Sequence, residues 1–183
     1  MGGYFYTVAS LPYLAFDTAH PMQEEDFLFL CQNTLSSADW TVLQQARFPS
    51  RAGLKTGNST LDSWSAGEQS LRAELAKLRA AKKGLETESY NRYGAYSMGI
   101  LDAARKAFSE ESPLDAETTI LRALWTLLDE LETGHLFDVD KLIVYYLKMQ
   151  IVGLKNKRNK ADGEKNFSFL YDTIVKKSIS ERV

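Results

Sequence analysis

Cys31 is the only cysteine in the 183 residues, which rules out an intramolecular disulfide and a multi-cysteine zinc site. Histidine is almost as scarce. Only His20 and His135 are present, so a catalytic thiol or hydroxyl has few bases to choose from. Cys31 lies in the apolar run Phe27–Cys31, where it reads as a small core residue. Glycine occurs in neither a GxxxxGK[ST] nor a GxGxxG pattern, and no serine sits in a nucleophile elbow, which excludes nucleotide binding and hydrolysis by those routes. The net charge of −2 gives the whole chain no nucleic-acid footprint. Long apolar runs are missing too. Leu142–Leu154 is interrupted by Lys148 and Gln150 and is too short to span a bilayer. The stretch from Met1 to Phe16 carries no Lys or Arg and is broken by Ser10 and Pro12, unlike a secretory signal. The expectation is a soluble, cytoplasmic protein with no direct membrane insertion.

Proline numbers four, and Pro12, Pro21 and Pro49 all precede residue 50. Everything after Pro113 is free to form long helices. Helix starts are marked by Ser36-x-x-Asp39, Ser59-x-x-Asp62 and Ser112-x-x-Asp115, where a hydroxyl can accept from free backbone amides and an acid can answer back. In the last of these Pro113 takes the first helical position. Leu61, Trp64, Leu71, Leu75, Leu78 and Leu85 alternate steps of three and four, with Glu68 and Lys82 filling the gaps. This is a heptad seam on a helix of roughly twenty-five residues. A second seam runs Leu114, Leu121, Leu124, Leu128, Leu131 and stops at Gly134. Asp138 caps a third helix, whose apolar residues from Leu142 to Leu154 cover a wide arc, so it should be the most buried. Shorter helices are expected at Gln23–Thr34, Ala38–Arg47, Tyr90–Phe108 and Glu164–Lys177, with a short aromatic helix before Pro12. No alternating run is long enough for a sheet. The fold class is therefore all-α, built as a helical bundle with long heptad-patterned helices or as two small lobes. The loop Phe48–Asn58 is the candidate hinge between a small N-terminal helical unit, 1–50, and a main bundle, 51–183, which can also form one continuous domain.

Chemistry has few footholds. His135, Asp138 and Asp140 offer one imidazole and two carboxylates to a divalent ion, but acids at a helix start also serve as caps. Glu24, Glu25 and Asp26, and Asp129, Glu130 and Glu132, can be read as acid–base pairs or as solvated helix faces. No third element supports catalysis, so no catalytic, cofactor-binding or metal residue is assigned, and no cofactor or small-molecule substrate is expected. Two basic patches suit an acidic partner: Arg72, Lys77, Arg79, Lys82 and Lys83 on the first long helix, and Lys155, Lys157, Arg158 and Lys160 after the third. Each is equally a charge pattern that solubilises a helix or offsets its dipole. Without interleaved aromatics the second run does not read as an RNA site.

The opening Tyr4-Phe5-Tyr6-x-Val8-Ala9-Ser10-Leu11-Pro12-x-Leu14-x-Phe16-Asp17, the block Ser112–Glu117, and Leu128-Leu-Asp-Glu-Leu-Glu-x-Gly134-His135-x-Phe137-Asp138, followed by Leu142 and Lys148–Ile151, together resemble a known group. They are similar to an uncharacterised bacterial family that accompanies V-type (archaeal-like) ATPase subunits in bacteroidetes, spirochaetes and chlamydiae. The resemblance covers nearly the whole chain. It implies a non-catalytic subunit standing where the C/d-type component is expected, the helical socket joining rotor stalk to membrane ring during ion or proton transport. Other ATPase subunits would be the partners, and the site would be cytoplasmic, at the membrane periphery. The C/d-type component is roughly twice this length, so the resemblance implies a reduced socket or a different accessory subunit. The alternatives are a helical adaptor or regulator unconnected to the ATPase, and a metal-dependent enzyme using His135, Asp138 and Asp140.

Overall fold

The computed structural model describes residues 3–18, 21–51, 53, 55–87, 98–158 and 171. Among them the chain is all-α, with no strand and seven helices: α1 (Phe5–Ala9), α2 (Glu24–Thr34), α3 (Ser37–Leu43), α4 (Ser59–Lys82), α5 (Met98–Ser109), α6 (Pro113–Glu132) and α7 (Val139–Lys157). Apart from Tyr171, the expected helix at Glu164–Lys177 lies outside the described residues, as does the first part of Tyr90–Phe108.

Capping chemistry sets most of the starts. The Ser36 and Ser112 side chains accept from the amides of Asp39 and Asp115, and Asp138 accepts from Lys141. The start of α4 differs from expectation. Asn58, not Ser59, is the cap and accepts from Leu61, while Asp62 takes the Thr56 amide at 2.8 Å and its hydroxyl at 2.9 Å. Asn shares the Ser preference for this position, and the loop conformation decided between neighbours. The seam on α4 also ends sooner than its leucines suggest. Gly84 adopts φ 69°, and the amides of Gly84 and Leu85 turn back to the carbonyls of Ala81 and Ala80. That is a Schellman closure, which ends the helix at Lys82 and leaves Leu85 exposed.

The core is continuous from the N-terminal fifty residues to the long helices, joining Phe16, Phe27, Cys31 and Leu43 to Trp64, Leu71, Leu124, Leu128 and the interior of α7. Helix α7 is its axis, with an unbroken buried run from Leu142 to Met149 and then Ile151 and Val152. A helix apolar all round needs cover on every side. Helices α4 and α6 supply two sides, with α6 antiparallel through the turn at 133–138. On another, Phe27 of α2 stacks on Tyr145 and Tyr146 at 5.5 and 5.3 Å, and Tyr146 donates to Glu24. Gln150 binds the Phe48 amide and the Ala46 carbonyl. The opening segment forms a strap along the α6–α7 seam. Tyr4 N–H donates to the Phe137 carbonyl, Tyr145 OH to the Pro12 carbonyl, and Lys155 to the Phe16 carbonyl and the Asp17 carboxylate.

Burying Lys148 within α7 is tolerable because its ammonium meets Asp129 at 2.6 Å, Glu132, and the face of Trp125 at 5.3 Å. Among the described residues no helix is long and apolar enough to cross a membrane.

Candidate interaction surfaces

Strap and α6–α7 turn together build one face of the molecule. A cleft of about 760 Å³ opens there, with Phe16, Trp125, Tyr145 and Lys148 inside and Tyr13 and Leu136 at its edge. Phe5 packs on Phe137 with ring centroids 4.7 Å apart, and Tyr6 meets Phe5 edge to face at 5.6 Å. These side chains are held but not covered. Tyr6 is 87% exposed, Tyr13 85%, Leu136 69% and Phe5 51%. Tyr13 and Leu136 line the cleft, whereas Phe5, Tyr6 and Phe137 form a ring cluster of their own. From the sequence, Tyr4–Val8 reads as a short aromatic helix and as part of the block that carries the resemblance, with no sign of which rings stay exposed. The period of so short an element does not reveal which rings it leaves in water.

Beneath this face lies a charge network. Glu132 is paired with both Lys141 and Lys148. Burial would raise its carboxyl, yet the hydrogen bonds from the two lysines hold it below the ordinary range. The acids Asp129 and Glu132 thus anchor Lys148, and Glu24 accepts from Tyr146. Cys31 is fully buried, and loss of solvent pushes its thiol up to about 12, which suits packing rather than nucleophilic work.

His135, Asp138 and Asp140 do come together, with one candidate ligand atom from each inside a 4.8 Å group. His135 Nδ1 lies 2.7 Å from Asp138 Oδ2 and 3.7 Å from Asp140 Oδ2. The hydrogen bond to Asp138 raises the His135 pKa. The remaining oxygens are also occupied, Asp138 Oδ1 by the Lys141 amide and Asp140 Oδ1 by the Asn58 side chain at 2.8 Å. His135 Nδ1 and both Asp138 oxygens are hydrogen-bonded within the protein, and so is Asp140 Oδ1. The arrangement joins the start of α7 to the start of α4.

The two basic patches read from the sequence are partly merged by the fold. Arg72 and Arg79 of α4, Lys157 at the end of α7, and Arg158 line a second cleft of about 760 Å³. Arg72 is held at 2.7 Å by Glu68, and Arg158 pairs with Glu117. Lys82 and Lys83 are exposed outside this cleft, Lys82 over the Phe108 ring at 5.6 Å, and Lys77 is half-buried away from it. Lys155 does not line this cleft and is bound to Asp17 at 2.8 Å, with the Phe16 ring at 4.5 Å. Lys160 lies outside the described residues.

No family model, no curated protein and no solved structure matches this chain.

Proposed function

We propose that this chain is a non-catalytic subunit of a V-type ATPase, the helical connector between rotor stalk and membrane ring. The resemblance of its opening and of the Leu128–Asp138 block names the machine. The observation that carries the reading is that these two blocks, far apart in sequence, pack on each other with large apolar groups left exposed, Tyr13 and Leu136 lining the cleft and Phe5, Tyr6 and Phe137 in a ring cluster of their own. An interaction subunit needs a surface of this kind, and it works without reactive groups of its own. Coupling also needs stiffness. The 24-residue α4 and the 20-residue α6, packed with α7 on one continuous core, suit a part that transmits force while hydrolysis and ion translocation proceed elsewhere.

The test is gentle purification of the tagged chain from native membranes, with co-purifying proteins identified by mass spectrometry. Rotor-stalk and ring subunits are expected in fixed ratio, with recovery lowered in the Tyr6→Ser/Leu136→Ser variant. Recovering none of them while the ATPase stays assembled would sink the assignment and leave an adaptor with a different partner.

A further inference from the structure

The cleft between α4, α6 and α7 shares no lining residue with the cleft beside the strap and has a different character. Its floor is apolar, made by Leu71 and Leu75 of α4, Ile120 and Leu124 of α6, and Met149 and Leu154 of α7. It shares Glu117, Leu121 and Arg158 with a neighbouring hollow of about 560 Å³ between the ends of α6 and α7, so the depression extends along the bundle. Four cations line it, Arg72 and Arg79 from α4 and Lys157 and Arg158 from the end of α7, beside the carboxylates of Glu24, Glu68 and Glu117.

Their pairing is uneven. Glu68 takes Arg72 and Glu117 takes Arg158, whereas Arg79 and Lys157 have no carboxylate partner among the described residues. A helix dipole explains why basic residues gather in the last turns of α4 and α7. It does not explain why two of them flank the same apolar floor.

We propose that this groove receives an amphipathic helix with acidic flanks from a partner protein. The floor fits an apolar stripe at helical spacing, and Arg79 of α4 and Lys157 of α7 are the cations left to meet carboxylates flanking that stripe. The half-open shape favours a helix over a small anionic amphiphile. A helix needs only one face covered, whereas a small ligand gains its affinity by being mostly enclosed. The inference deepens the reading of the chain as an interaction subunit and is independent of which machine it serves.

The probe is a fluorescein-labelled peptide of roughly eighteen residues, about five turns, with leucines at i, i+3, i+4 and glutamates on the flanks. Controls carry the same residues in scrambled order, or lysine in place of glutamate. Anisotropy should show binding of the acidic amphipathic peptide alone, weakened by added salt. The Arg79→Glu/Lys157→Glu variant should lose about tenfold or more in affinity with its circular dichroism and Tm retained, while Tyr6→Ser/Leu136→Ser binds as wild type. Equal binding by the charge-reversed variant, or by either control peptide, overturns the proposal. Lys157→Cys carrying a photoreactive benzophenone then reports the occupant in native extracts. A cross-link into an acidic helical segment of another protein supports the proposal. A cross-link into residues 159–183 of the same chain, or into a second copy, overturns it. Loss of ATPase co-purification with peptide binding intact removes the machine and keeps the groove. The reverse result removes the groove and keeps the machine.

Discussion

Glu68, 1% exposed in the middle of α4, accepts the backbone amide of Ser50 at 2.7 Å. The same oxygen takes the Ser50 hydroxyl, and the other is bound by Arg72. A carboxylate at what looked like a gap in a heptad seam is thus a clamp. It holds the loop after Pro49 against the long helix, where Trp64 Nε1–H also reaches the Arg47 carbonyl at 3.2 Å.

Glu68→Ala should therefore destabilise by about 3 kcal/mol, because it strands the Ser50 amide and leaves a void beside Leu71. Glu68→Gln keeps the volume and one acceptor and should cost about 1–2 kcal/mol. Urea denaturation followed by tryptophan fluorescence measures both. A loss under about 0.5 kcal/mol for the alanine variant would mean the clamp carries no stability.

Stability should fall in acid through Glu132. Its folded pKa is lowered from the ordinary 4.5, so the group stabilises the fold above about 4.5. That contribution is lost as pH drops through the lower, folded value. The difference in urea midpoint between about pH 6 and about pH 3 should shrink in Glu132→Gln. Lys148→Ala, which leaves Asp129 and Glu132 facing each other without the shared ammonium, should cost about 2 kcal/mol at neutral pH.

His135 has the opposite sign. Its pKa is raised above the ordinary 6.5 by the hydrogen bond to Asp138, so its contribution is complete below about 6.5 and disappears as pH rises through the elevated value. The pair is exposed enough that the effect should be only ~0.5 kcal/mol. His135→Asn should flatten this alkaline slope, with NMR titration of the imidazole as the direct check. Calorimetric titration with zinc, manganese and magnesium should give no binding heat, since Asp138 and Asp140 are committed to Lys141 and Asn58. A saturable zinc isotherm abolished by His135→Asn would restore the metal reading.

Two aromatic substitutions should separate folding from contact. Phe27, fully buried and stacked on Tyr145 and Tyr146, should cost about 3–5 kcal/mol on change to alanine. Tyr6→Ser, at a ring 87% exposed, should change stability by less than about 0.5 kcal/mol and still lower partner recovery. A Tyr6→Ser variant that loses stability as Phe27→Ala does would show the aromatic face to be structural.

Much of the fold was legible because its signals are local. Ser36, Ser112 and Asp138 cap the helices they precede in sequence, since a cap and its amide lie three residues apart. Gly134 follows α6 at φ 92°, as its position after the second seam suggested. Local chemistry was less decisive where two candidates adjoin, as with Asn58 and Ser59, or where a glycine overrides an apolar repeat, as Gly84 does before Leu85.

The sequence by itself determined that this protein is helical, where most helices begin, and that α7, with its wide apolar arc, would be the most buried helix. These follow from interactions within one or two turns and from the need to remove apolar stripes from water. Tertiary structure decided the rest. It chose the partners of the charges, turning Lys155 to Asp17 and leaving Arg79 and Lys157 on one groove. It also laid the opening segment against a turn more than a hundred residues away, so that Tyr6 and Leu136 share a face. Such pairings depend on how whole helices pack, and no spacing within one helix encodes which side of a distant helix it will meet.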